Sequence, residues 1–116
     1  KLIKGDYHIG NCRYVRMLMN TLTIPDDVMD FIKSIASDSR LQILLLFTDA
    51  KELTVNEIAE RVHLGQSTTS EHLSNLKRAG ILVSRKENRL VFYSANRDRI
   101  LEVLDNLSQM LRACCQ

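Results

Sequence analysis

Thr54-Val55-Asn56-Glu57-Ile58-Ala59-Glu60-Arg61-Val62-His63-Leu64-Gly65-Gln66-Ser67-Thr68-Thr69-Ser70-Glu71-His72-Leu73-Ser74-Asn75-Leu76-Lys77-Arg78-Ala79-Gly80 is the stretch that decides the fold. Thr54 followed three residues later by Glu57 is a capping-box signature, in which each residue satisfies free backbone groups at a helix start. The spacing of Ile58, Ala59 and Val62 predicts an amphipathic helix ending near Val62. His63-Leu64-Gly65-Gln66 is a tight connection. A second helix follows from about Ser67 to Arg78, with Leu73 and Leu76 inward, and Ala79-Gly80 stops it. Its outer face carries Gln66, Ser67, Thr68, Thr69, Ser70, His72 and Asn75, with Lys77 and Arg78 at its end.

Upstream, Ser37-Asp38-Ser39 interrupts the pattern and supplies a cap for a further helix. That helix carries Leu41, Ile43, Leu44, Leu45 and Leu46, apolar nearly all round, which places it at the centre of the domain. Before it, Pro25 sets φ at the first helical position and Asp26 and Asp27 complement the positive helix start. Val28, Phe31, Ile32 and Ile35 are the expected buried stripe. Earlier still, Val15, Leu18, Met19 and Leu22 recur at helical spacing within Cys12 to Leu22. Lys1 to Gly10, with Gly5 and Gly10, reads as an arm.

Downstream, the period changes. Ile81-Leu82-Val83 and Leu90-Val91-Phe92-Tyr93 are β-branched and aromatic stretches flanking Ser84-Arg85-Lys86-Glu87-Asn88-Arg89, which predicts two short strands joined by a charged turn. A last helix runs from about Arg97 to Cys114. Ile100, Leu104, Leu107, Leu111 and Cys114 are spaced 4, 3, 4, 3, a heptad seam suited to a second helix. Leu101, Val103, Met110 and Cys115 flank it.

The whole chain agrees with this organisation. Its 116 residues suffice for one core, 45% are apolar and 26% charged, so a disordered tail, a collagen and a disulfide-stapled toxin are excluded. One Pro and four Gly leave little punctuation and favour helix. The expected fold is mainly α with a small β-hairpin. It forms one domain over 1–116: arm and helix 1–22, central unit 23–96 and a dimerisation helix 97–116. The longest apolar run, Ile43 to Phe47, is too short to span a bilayer, and no signal region is visible. Position 1 is Lys rather than Met, which implies that preceding residues were trimmed or left out. Three cysteines, Cys12, Cys114 and Cys115, are an odd count that fits free thiols in a reducing cytoplasm better than a disulfide framework.

Two short helices joined by a tight turn, the second polar outside, then a basic hairpin, are the element order of a winged helix-turn-helix. Short hydroxyl and amide side chains reach base edges and phosphates without the repulsion acidic groups bring. From Gln66 to Arg89, five Lys/Arg stand against two Glu, a net of +3 in a chain whose total is +2. The hairpin adds Arg85, Lys86 and Arg89 as phosphate-binding cations.

The stretch from Ser37 to Tyr93 resembles the winged helix-turn-helix repressors of the ArsR/SmtB family. The resemblance rests on Ser39-Arg40-Leu41-Gln42-Ile43-Leu44, Glu52-Leu53-Thr54-Val55-Asn56-Glu57-Ile58-Ala59, Gln66-Ser67-Thr68-Thr69-Ser70-Glu71-His72-Leu73, Leu76-Lys77-Arg78-Ala79-Gly80-Ile81-Leu82 and Val91-Phe92-Tyr93. It implies a homodimer, joined through its N- and C-terminal helices, that binds a double-stranded DNA operator and leaves it on a signal. The two recognition helices of such a dimer enter successive major grooves roughly 34 Å apart. The dimer contacts expected are Val15, Leu18, Met19, Leu22, Ile100, Leu104, Leu107 and Leu111.

Relatives sense metals through a cysteine in the helix before the turn, where this chain has Thr54, or through ligands on the last helix, where it has Arg97, Arg99, Met110 and Ala113. Thr is not a soft ligand, and cationic or apolar groups hold no cation. Glu57 sits where relatives can carry a carboxylate ligand and means little alone. Cys12, Cys114 and Cys115 remain as signal residues. Three thiolates suit arsenite, and with His8 they suit tetrahedral zinc or cadmium. The same thiols could instead form a disulfide or polysulfide bridge, Cys12 with Cys114 or Cys115. The third alternative is that they are packing and terminal residues, with no inducer. No P-loop, dinucleotide motif, zinc-protease motif or nucleophile arrangement supports an enzyme. A winged helix used for protein association is the rival function, and it would show exposed Leu, Phe or Met on the outer helix face.

Overall fold

A computed structural model describes residues 24–112. The expected helix Cys12 to Leu22, with Val15, Leu18, Met19 and Leu22, lies outside the described residues, as do His8, Cys12, Ala113, Cys114 and Cys115.

Helix α1 spans Asp26–Ile35. Pro25, with φ −54°, is its N-cap rather than its first helical residue, and its carbonyl accepts from the Val28 and Met29 amides. Asp26 and Asp27 lie in the first turn, where the helix dipole favours acids. Val28 and Phe31 are buried and Ile35 packs on the core, whereas Ile32 is exposed, a correction to the expected stripe. Helix α2 spans Asp38–Leu45, capped by Ser37, whose hydroxyl accepts from the Arg40 amide. A 3-10 turn over Leu46–Thr48 continues it. This helix is not the all-round buried centre that its composition suggests. Ile43 alone is fully buried there, while Leu41 and Leu45 face out, Leu45 at 54% exposure.

Strand β1 (Leu53–Thr54) leads directly into helix α3 (Val55–Val62). The capping box forms as expected: the Thr54 hydroxyl accepts from the Glu57 amide at 3.3 Å, and the Glu57 carboxylate accepts from the Thr54 amide at 2.8 Å. His63 closes the helix in the left-handed region, φ 57°. Helix α4 spans Gln66–Arg78. It ends in a Schellman turn, with the Ile81 amide donating to the Leu76 carbonyl and the Gly80 amide to that of Lys77. Gly80 adopts φ +80°, where an L side chain is strained. Buried Leu76 and Ile81 supply the apolar contact that accompanies this motif.

Strands β2 (Leu82–Glu87) and β3 (Leu90–Ala95) form the hairpin, and the sheet order is β1-β3-β2, antiparallel throughout. The ladder runs to Glu87↔Leu90, so the loop is two residues, Asn88-Arg89, both with positive φ (51° and 69°). That is type I′ geometry, whose twist matches the strands. The charged segment expected as a turn is therefore mostly strand. Helix α5 spans Arg97–Arg112 among the described residues.

The core gathers Val28, Phe31, Ile43, Leu53, Ile58, Leu73, Leu76, Ile81, Leu82 and Val103. It draws on every helix and on β1 and β2. Ile100 and Leu107, expected in the intermolecular seam, pack against this same core. At 100° per residue, positions 100, 103 and 107 form one stripe and 101, 104 and 111 the next. The outward stripe is accordingly Leu101, Leu104 and Leu111, at 51%, 41% and 62% exposure. Arg99 ties α5 to α1, reaching Asp27 at 2.8 Å and Glu102 at 2.6 Å.

Candidate nucleic-acid interface

Helix α4 is oriented by three inward side chains, Thr69, Leu73 and Leu76, all fully buried. Their spacing of 4 and 3 makes one stripe, and the opposite side faces water. Gln66, Ser67, Thr68, Lys77 and Arg78 are exposed, and Ser70, His72 and Asn75 are half-buried at the flanks. Thr69 is a correction. It is completely buried and, among the described residues, its hydroxyl has no hydrogen-bond partner, so it does not reach DNA from this position. Glu71 and Ser74 are exposed at the centre of the outward face and were not among the expected site residues. Their spacing from Ser67 and Arg78, 4 and 3 or 3 and 4, was the signal for them. The Asn75 side-chain oxygen accepts from Arg78 at 3.1 Å, which steadies that guanidinium along the helix.

The wing separates its cations. Arg85 is in mid-strand rather than at the tip. Its Nε and Nη2 donate to the two carboxylate oxygens of Glu52 at 2.7 and 2.8 Å, and its Nη1 to Glu87. The guanidinium also lies 4.6 Å from the centroid of the Phe92 ring, its cross-strand neighbour. The Arg85 hydrogen bond holds the Glu52 carboxyl below the usual carboxylate range, and the two carboxylates push Arg85 further up. Lys86 pairs with Val91 and, by strand alternation, leaves on the opposite face from Arg85. Among the described residues, Lys86 and Arg89 are in no ion pair and are exposed. They are the wing charges available to a polyanion, and Arg85 fastens the wing to the segment before β1.

Three of the metal positions considered in the sequence, Thr54, Glu57 and Arg99, are otherwise engaged. Glu57 belongs to the capping box, and the Thr54 amide keeps its carboxyl below the ordinary range. Arg99 is ion-paired, its pKa raised chiefly by the Glu102 hydrogen bond. Among the described residues there is no cluster of three His, Cys, Asp or Glu that could hold a metal. No helix of the described residues is long and apolar enough to cross a membrane.

Known proteins share this arrangement. The family profile for bacterial regulatory proteins of the arsR family matches residues 37–84. The transcriptional activator HlyU of Vibrio cholerae is 37% identical over 79 residues, covering 68% of this chain and 72% of HlyU. The cadmium resistance transcriptional regulatory protein CadC of Listeria innocua is 33% identical over 78 residues, covering 67% of this chain and 66% of CadC. Among solved structures, HlyU from V. cholerae superposes with a TM-score of 0.57 at 38% identity, over 71% of this chain and 91% of that one. NolR from Sinorhizobium fredii gives 0.59 at 29%, over 73% and 84%. With the profile lying on the helices and turn that shape this surface, and with both sequence and fold shared with these regulators, the chain belongs to the ArsR family of winged helix-turn-helix, DNA-binding transcriptional regulators.

Proposed function

We propose that this protein is a homodimeric repressor. It binds a double-stranded operator through α4 and the wing and is released by a signal sensed at Cys12, Cys114 and Cys115. The observation that carries the DNA reading is the outward face of α4. It exposes Gln66, Ser67, Thr68 and Ser74, with Lys77 and Arg78 at its end against the one acid Glu71, and it presents no Leu, Phe or Met. That composition favours base edges and phosphates over a protein-association surface. Gln66, Ser67 and Thr68 read bases. Ser70, His72, Asn75, Lys77, Arg78, Lys86 and Arg89 hold the backbone. The exposed stripe Leu101, Leu104 and Leu111 supports a two-fold partner, with α5 as its seam. Occupying an operator that overlaps a promoter is enough to repress. HlyU is named an activator, so the direction of regulation belongs to the test as well.

For the signal, the three thiolates suit a soft metal or metalloid and equally a thiol oxidation; the relatives include a cadmium resistance regulator and HlyU, whose reduced form is among the solved structures. Two experiments test the whole reading. Selection from a random duplex pool is expected to enrich an inverted repeat with half-sites about one helical turn apart. No enrichment overturns the operator reading. Cadmium, then arsenite, added to the reduced protein without oxygen is expected to give a saturable near-ultraviolet thiolate band. That band should be lost in Cys12→Ser or Cys114→Ser, with release of the selected duplex. No band leaves thiol oxidation as the signal, seen as a crosslink between Cys12 and Cys114 or Cys115.

A further inference from the structure

Arg40, in the first turn of α2, connects two other helices. Its Nε donates to the Ser34 carbonyl at 2.6 Å and its Nη2 to the Lys33 carbonyl at 3.4 Å. Both carbonyls lie in the last turn of α1, where backbone acceptors have no intrahelical donor. Its Nη1 lies 3.4 Å from Nδ1 of His72 on α4. We infer that Arg40 fixes the tautomer of His72, so that α4 presents an Nε2–H donor to a DNA phosphate oxygen. The inference rests on the DNA-facing role proposed for α4.

The assignment follows from donor and acceptor inventory. A guanidinium has five N–H groups, no acceptor, and does not deprotonate in proteins. The imidazole atom it meets must therefore be a lone pair. In a neutral ring, a lone pair on Nδ1 puts the proton on Nε2. A proton on Nδ1 would instead set donor against donor and, in a doubly protonated ring, cation against cation. His72 is half-buried, on the flank between the buried row Thr69-Leu73-Leu76 and the exposed row that holds Glu71 and Ser74. The centre of a helix seated in a groove meets base edges, and its flank meets the sugar-phosphate wall. Phosphate oxygens are acceptors only, so a ring held as an Nε2–H donor matches them. Arg40 is thus a positioning residue: it touches no DNA in this reading and acts through the ring it orients.

The first measurement is the imidazole nitrogen NMR spectrum of the full, reduced chain, in which the two neutral tautomers and the imidazolium are distinct. His72 is expected as the Nε2–H tautomer, and Arg40→Met is expected to yield a mixture. An Nδ1–H or doubly protonated ring in the wild type overturns the inference, whether or not the Arg40 variant folds. The second measurement uses mixed-sequence duplexes of about three helical turns (~30 bp). His72→Gln keeps an amide N–H at the reach of Nε2 and is the conservative comparison, expected to recover the contact that His72→Asn loses. His72→Asn places its amide at the Nδ1 position and is expected to bind about tenfold more weakly, the lower end for a hydrogen bond to a charged group. The loss should be equal on every duplex. Unchanged binding by His72→Asn overturns the phosphate contact, and a loss confined to one sequence moves the donor to a base edge and also overturns it. Wild-type protein that shows the Nε2–H tautomer but binds no duplex overturns the DNA role of α4 and leaves the tautomer assignment standing.

Discussion

Thr69→Val is expected to stabilise the protein and to leave DNA binding alone. The Thr69 side chain is fully buried in the α4 stripe with Leu73 and Leu76, and its Oγ1 has no partner among the described residues. A buried polar group left unsatisfied costs about 1–3 kcal/mol. Valine keeps the branched shape and exchanges the hydroxyl for a methyl that suits the surrounding apolar side chains. The lower end of that range applies, because a helical threonine hydroxyl has its own i−4 carbonyl nearby as an alternative. A gain of about 1 kcal/mol raises the melting temperature of a domain this size by about 4 °C. Thermal and urea unfolding followed by circular dichroism read the stability, and fluorescence anisotropy with a labelled duplex reads binding. A lower melting temperature would show that the hydroxyl has a partner and refute the burial argument. A loss of affinity near tenfold would put Thr69 at the DNA after all.

Three further outcomes are expected. Lys86→Ala and Arg89→Ala should each lower the salt slope of DNA binding by about 0.9, one phosphate contact apiece, while Arg85→Ala leaves the slope unchanged. An equal drop for Arg85 would show that its carboxylate pairs open on DNA. Leu104→Lys should convert a dimer to monomer in analytical ultracentrifugation with little change in melting temperature, because its side chain faces out. Leu107→Lys should lower the melting temperature, because Leu107 packs on the core; identical behaviour of the two would remove the division of α5 into two stripes. The Glu57 carboxyl is held below its ordinary range by the Thr54 amide, so its contribution is present above that range and lost as pH falls through the lowered value. Glu57→Gln, which keeps the cap geometry, should flatten the fall in melting temperature between about pH 6 and pH 3. An unchanged slope would assign that fall to other carboxylates.

The local punctuation of the fold was legible in the sequence because its causes are local. Thr54 with Glu57 and Ala79-Gly80 satisfy backbone groups within a few residues of themselves, and both motifs form. Strand β1 was not legible, since Leu53-Thr54 is too short to show alternation and its partner β3 lies some 40 residues on. The wing was cut short because Ser84 to Glu87 lack strand propensity, whereas the cross-strand ladder and the Arg85 contacts extend it. The leucines of α2 show a different limit. Apolar composition reports that a surface avoids water, not which surface covers it, and the domain's own core takes Ile43 alone as a fully buried residue there. At the site, the polar character of Thr69 outweighed its position, although its spacing from Leu73 and Leu76 already marked it as inward. Arg40 was quoted only as part of a family segment, because the carbonyls and the ring it joins come from helices apart in sequence.

The sheet order has a mechanical consequence. With β3 held on both edges, and with Arg85 clasping Glu52 just before β1, the hairpin has no hinge at its root. It cannot swing as a flap while α3 stays still, because β1 runs without a break into α3. The turn, α4 and the hairpin therefore travel as one stiff body. In the dimer proposed above, a signal that leaves this body intact has a single variable to act on, the distance and tilt between two such bodies. An induced state would then carry two unaltered grips at the wrong span.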